Sequence, residues 1–226
     1  MKYQGEKTNS ANKKTFHVLR SMFYDKQGFT IIELLVVLAI FAVLSGTLFI
    51  NYGRFNVGAS LDNLVHQIAL IVRQAQVYGI SVSQSSTQQF RGYGAYFSVA
   101  TINDQKTFIM FSDKAPADKL YTPAIPPGQQ DNCDGLSECV ERITIQSGDK
   151  VEKIIANEKT SFPGTPAKEV HIVFTRPNPD ANIVAYKLSD GTLITTPISD
   201  VVIYLQSLRG DEKKVVVWST GQIAVE

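Results

Sequence analysis

Apolar and polar residues fall into three textures along this chain. Between Phe29 and Ile50 nearly every residue is apolar (FTIIELLVVLAIFAVLSGTLFI), and Glu33 is the one charge. A run of about 22 residues makes a helix roughly 33 Å long, enough to cross a bilayer. A polar, charged leader precedes it up to Gln27, and a single glycine, Gly28, stands at the boundary. In the second texture Leu61, Leu64, Val65, Ile68, Ile71, Val72 and Ala75 recur at helical spacing, with Asp62, Asn63, Gln67, Arg73 and Gln74 between them. That pattern predicts one apolar stripe packed on a sheet. Gly79 is expected to cap this helix, and Gly53 and Gly58 to mark a loosened join with the apolar half. His66 is expected at the surface.

The third texture begins after Gln88. Segments rich in Val, Ile, Tyr, Phe and Thr alternate with turn residues, which predicts strands. They are Phe90–Val99, Thr107–Ser112, Glu141–Gln146, Val151–Ala156, Glu169–Thr175, Asn182–Leu188, Val201–Gln206, Lys214–Trp218 and Gln222–Val225. Asp190-Gly191 and Thr220-Gly221 read as hairpin junctions. Arg176-Pro177-Asn178-Pro179-Asp180 reads as a turn, because proline withholds a donor and restricts its predecessor. The segment Asp113–Glu138, rich in Pro, Gly and Asp, reads as a surface excursion. A long helix followed only by strands defines an α+β chain.

An ionised carboxylate inside a membrane span costs on the order of 2.5–3.5 kcal/mol on insertion scales, so Glu33 requires a partner or a function. An ordinary secretory signal has a shorter apolar core and a small-residue cut site, and Leu48 to Asn56 offers none. A plain single-span anchor leaves Gly28 and Glu33 unexplained. The combination of basic leader, glycine, Phe29-Thr30 and an acid at Glu33 resembles the class III signal of type IV prepilins and type II secretion pseudopilins. Here Gln27 separates the basic Lys26 from the glycine, and the apolar run contains no proline.

The resemblance implies cleavage by a membrane peptidase between Gly28 and Phe29, with methylation of the new Phe29 amine. It implies that Glu33 pairs with the terminal amine of an adjacent subunit in a filament. The implied fold is the pilin ladle, with one long N-terminal helix packed on an antiparallel sheet. The implied organisation is a leader (1–28), a membrane and assembly half-helix (29–50), an amphipathic half-helix (51–80) and a β-rich domain (81–226). The implied partners are other pilin or pseudopilin subunits, the prepilin peptidase and an inner-membrane assembly platform. RQAQVYGISVSQ, VHIVFTRPNPDANI and VVVWSTGQIAVE resemble the H-type minor pseudopilins and FimT-like minor pilins.

Charge refines this picture. The net charge of +1 gives no electrostatic case for nucleic acid. In the leader Lys2, Lys7, Lys13, Lys14, Arg20 and Lys26 outnumber Glu6 and Asp25, which predicts a cytoplasmic N-terminus and a translocated domain. In an oxidising compartment Cys133 and Cys139, close together in DNCDGLSEC, are expected to bridge. The competing reading is calcium held by Asp131, Asp134 and Glu138, although the spacing is not that of an EF-hand loop. No zinc ligand set, phosphate loop or nucleophile elbow occurs, and His17, His66 and His171 are scattered. The expectation is therefore a structural subunit with no catalytic residues, metal or cofactor. The rival class is a membrane-anchored binding module, an adhesin or a DNA-uptake receptor, using the excursion as its contact surface.

Overall fold

Among the described residues a 51-residue helix, α1 (Ile31–Ser81), leads into nine strands. These are β1 (Gly92–Ser98), β2 (Thr107–Asp113), β3 (Cys139–Thr144), β4 (Lys150–Ala156), β5 (Thr165–Phe174), β6 (Ala181–Lys187), β7 (Asp200–Gln206), β8 (Glu212–Trp218) and β9 (Ile223–Val225). The computed structural model describes residues 28, 30–81, 92–114, 118–123, 133 and 137–226, and only the backbone within 49–57. The chain divides into two units between Tyr52 and Gly53.

In the first unit the described part of α1 exposes its apolar side chains, from Ile31 at 81% to Leu48 at 73%. None of the stretch Ile31–Leu48 is buried within the chain. Contiguous exposed apolar area of this size marks a membrane or protein contact.

In the second unit every residue of the predicted stripe is buried: Leu61, Leu64, Val65, Ile68, Ile71, Val72 and Ala75. They form one core with Phe97, Phe108, Ile154, Ile172, Ile203 and Val215 from the sheet. His66 is exposed, as expected. The helical backbone runs unbroken through Gly53 and Gly58. Gly79 is not a cap: α1 continues to Ser81, and a Cβ at Gly79 would lie 2.3 Å from the Phe174 carbonyl oxygen. Close approach of helix to strand, not termination, requires glycine there.

The sheet is antiparallel throughout, with the order β3-β2-β1-β5-β4-β7-β8-β9 and β6 beside β5. Strand β5 organises it. Its second half pairs with β1 (Tyr93↔Phe174 to Ser98↔Glu169), and its start pairs with β4 (Ile154↔Ala167 to Ala156↔Thr165). Because β6 takes the opposite edge along both stretches, β1 and β4 share one edge of β5 in succession. The sheet therefore divides there into two arms, which close around the stripe of α1. All nine predicted strands are present; β5 starts at Thr165 rather than Glu169. The Gly191 and Gly221 junctions both have positive φ. Arg176 and Pro177 form the expected turn. Tyr93, Tyr96, Tyr186, Tyr204 and Trp218 are half-buried on the sheet.

Candidate functional site

Thr30 sets the start of α1. Its carbonyl accepts the Leu34 N–H at 3.2 Å, the first intrahelical bond, and its Oγ1 accepts the Glu33 N–H at 3.3 Å. That is the N-cap arrangement, which satisfies one of the orphan donors of the first turn. Glu33 sits at the third helical position, where the partial positive charge of the helix terminus favours a carboxylate. Thr30-Ile31-Ile32-Glu33 has the spacing of a capping box ahead of an apolar run, and this signal is legible in the sequence. Reading Glu33 only as an intramembrane acid misses Thr30.

Gly28 is exposed, and a Cβ built on it meets nothing within 4 Å. Phe29, Lys26 and the rest of the leader lie outside the described residues. Glu33 is exposed on the first turn, and its carboxylate projects from the same helix start that Thr30 fixes.

A second cluster lies under the excursion after β2. Cys133 and Cys139 form a disulfide, with Cα atoms 4.7 Å apart. Glu138 fastens the two sides of the segment, its Oε1 accepting the Lys114 N–H at 3.0 Å and its Oε2 the Thr122 N–H at 2.7 Å. Both oxygens are thus engaged by backbone donors. Asp131 and Asp134 lie outside the described residues, and no group of three metal-ligating side chains occurs among the described ones.

Tyr121 returns to the sheet, where its N–H donates to His171 Nδ1 at 2.9 Å. This bond places the imidazole proton on Nε2. The His171 ring lies 4.8 Å from Tyr96 and 6.0 Å from Tyr186, and Tyr121 lies 5.2 Å from Tyr96 and 5.6 Å from Phe111. The Tyr96 hydroxyl donates to Glu169 at 3.0 Å. Burial pushes the His171 imidazole down to about 4, against a weaker pull from Asp118. Burial, with Glu169 beside it, raises the Tyr96 hydroxyl.

Asp113, at the end of β2, is only 1% exposed. Among the described residues its carboxylate oxygens make no hydrogen bond of good geometry, although the Asp118 and Lys119 amides lie within electrostatic reach. Burial and the Glu138 and Asp118 carboxylates push it up to about 6, partly offset by the amides of Lys119 and Asp118. Burial also raises Glu138. This cluster holds the excursion to the sheet. Among the described residues it pairs no nucleophile with a base, and sequence periodicity gave no sign of it because its members come from β1, β2, β3, β5, β6 and the connection between β2 and β3.

Comparison with known proteins adds one match. Residues 24–49 match the prokaryotic N-terminal methylation motif. No curated protein and no solved structure matches the chain. The matched residues comprise the end of the leader, the Gly28 boundary, Thr30, Glu33 and the apolar part of α1. Together with the α+β pilin-like architecture, this motif supports the type IV pilin and pseudopilin family and marks the chain as a prepilin-peptidase-type substrate.

Proposed function

We propose that this chain is a minor pilin or pseudopilin, a structural subunit of a filament of the type IV pilus or type II secretion kind. The methylation motif on residues 24–49, continuous with a helix whose apolar half covers nothing within its own chain, carries this reading. The precursor is stored in the inner membrane with its N-terminus inside. A prepilin peptidase cuts between Gly28 and Phe29 and methylates the Phe29 amine. The assembly platform then lifts the subunit out, and the apolar half of α1 exchanges lipid for the helices of neighbouring subunits.

The helix start gives Glu33 its part. After the cut, the Phe29 ammonium stands one residue ahead of the Thr30 cap, at the positive end of the helix dipole. That end repels a cation and attracts a carboxylate. A neighbour's Glu33 can neutralise the ammonium, and pairing one charge with another across subunits fixes axial register. Such a buried pair contributes specificity more than net stability, because desolvation offsets much of the Coulomb gain. The segments RQAQVYGISVSQ, VHIVFTRPNPDANI and VVVWSTGQIAVE support the H-type, FimT-like subclass. The disulfide-pinned excursion supports a second role, surface binding as an adhesin or DNA-uptake minor pilin.

Processing tests the reading. Co-expression with a prepilin peptidase should give a mature chain beginning at N-methylated Phe29, seen by intact mass. Gly28→Leu should remain uncut, because a branched side chain enters a site that accepts none. A wild-type chain that stays intact, or one cut beyond Ile50, would refute it.

A further inference from the structure

Phe97 and Phe108 turn into the core beneath the packed half of α1, so their neighbours along β1 and β2 occupy the other face of the sheet. There Arg142 on β3 lies opposite Ile109 on β2, and Ile109 lies opposite Tyr96 on β1. Thr107 and Ser98, two residues along the same strands, share that face. Together these side chains floor a cavity of about 110 Å³, walled by Asp104 from the β1–β2 connection and by Tyr121 from the excursion.

Floor and walls are held by the protein itself. Asp104 accepts the Thr101 N–H through Oδ2 at 3.1 Å and returns its own N–H to Thr101 Oγ1 at 3.2 Å. Tyr121 is fixed by its bond to His171 and Tyr96 by its bond to Glu169, which sets the two tyrosine rings 5.2 Å apart. Ser98 is only 3% exposed, and its Oγ accepts the Ala100 N–H at 3.2 Å. Thr107 donates through Oγ1 to the Asn103 carbonyl at 3.3 Å and keeps capacity to accept. A site built on such elements needs little ordering when a ligand arrives.

The lining selects the ligand. Sites that enclose drug-sized molecules run to roughly 300–1,000 Å³, so this one admits a single small ring with the rest of the molecule outside. A guanidinium and a carboxylate share the lining, so a ligand of either charge meets one group that repels it. A neutral ligand must instead accept from Arg142, which carries five donors, and donate to Asp104, whose carboxylate only accepts. Tyr96, Tyr121 and Ile109 add apolar surface for the face of a ring. A sugar joins these properties: hydroxyls that both donate and accept, on a ring whose C–H faces are apolar.

We propose that this cavity binds the terminal sugar of a neutral glycan. The ring packs against Tyr121 and Tyr96, one hydroxyl accepts from Arg142, and another donates to Asp104. The inference gives a ligand class to the surface-binding role, and it rests on that role rather than on filament assembly.

The test uses the full chain in micelles of a phosphocholine detergent, which carries no sugar, on an array of neutral and sialylated glycans. Native mucin and mucin stripped of its glycans are printed beside them. Neutral glycans should retain the wild-type chain, and stripped mucin should not. Arg142→Gln and Asp104→Asn each remove a charge-assisted hydrogen bond and should weaken retention at least about ten-fold. Asp104→Asn keeps the size of the side chain and an oxygen for the Thr101 N–H, so a loss there is not a loss of fold. Arg209→Gln, exposed in the β7–β8 turn and outside the cavity, should leave retention unchanged. Retention that neither cavity substitution weakens, or a preference for sialylated over neutral glycans, overturns the inference. Equal binding to native and stripped mucin also overturns it, and leaves the surface-binding role standing. Binding to no glycan and to neither mucin overturns both.

Discussion

Thr30→Ala removes the acceptor of the Glu33 N–H and should cost the helix start about 1 kcal/mol. Within a membrane an unpaired amide costs more than in water, so the first turn should fray. Glu33→Gln acts differently. It keeps size and hydrogen-bonding atoms and removes the charge that is costly in hydrocarbon, so flotation with membranes should be unchanged or better. Incorporation into filaments should fail, because the partner's ammonium then has no counter-charge in a dry core. Crosslinking to partner pilins in sheared material, against wild type, reads the difference. Undiminished crosslinking with intact insertion would assign Glu33 to the cap alone. Glu33 stood out in the sequence, since a lone acid in an apolar run is conspicuous. Its neighbour's role was equally spelled out, as T-x-x-E, but a threonine beside hydrophobic residues draws no notice without the capping rule.

At the scale of elements, two buried ionisable groups near the described part of the excursion, Asp113 and His171, have opposite responses to pH. Asp113 ionises at about 6 in the fold against 3.8 ordinarily, so the native state takes up its proton first. Acidification from pH 7 towards 4 therefore stabilises the fold through Asp113. His171 titrates at about 4 against 6.5 ordinarily, so the unfolded chain takes up its proton first. The same acidification destabilises through His171, and below about pH 4 the protonated Nδ1 can no longer accept from Tyr121. Each contribution is at most about 3 kcal/mol. Asp113→Asn should therefore show a urea midpoint that falls, relative to wild type, between pH 6 and 4. His171→Gln should show the reverse. Parallel curves for both variants would mean that neither group is held as described. Cys133→Ser should speed amide exchange around residues 118–123 while leaving β1 and β5 protected, since the closed loop is short and local.

The elements themselves were legible because each is a local pattern. Enrichment in Val, Ile, Tyr, Phe and Thr between turn residues marked the strands, and the stripe from Leu61 to Ala75 marked the packed half of α1. Their partners were not legible. Nothing near Tyr96 in the sequence points to His171 or Tyr121, and a glycine near a helix end looks like a cap whether or not a strand passes over it, as at Gly79. Gly221 shows both cases at once. It has φ +81°, and a Cβ on it would also lie 2.2 Å from the Pro179 carbonyl oxygen.

For the whole molecule, the position of β5 determines when the sheet can exist at all. Strand β1 must wait for Phe174 and its neighbours, and β4 must wait for Thr165 to Ala167. A chain delivered N-terminus first thus presents β1 to β4 before the strand that unites them. The meander β1-β2-β3 can form early, yet its apolar face has no complete partner until β5 arrives. Pairings so distant in sequence close slowly and leave edges open meanwhile. On the membrane-stored reading, the subunit is committed to the bilayer by α1 long before its sheet can form. A folding helper acting on this chain would be needed during that interval, and a chain ending before Thr165 should be degraded rather than stored.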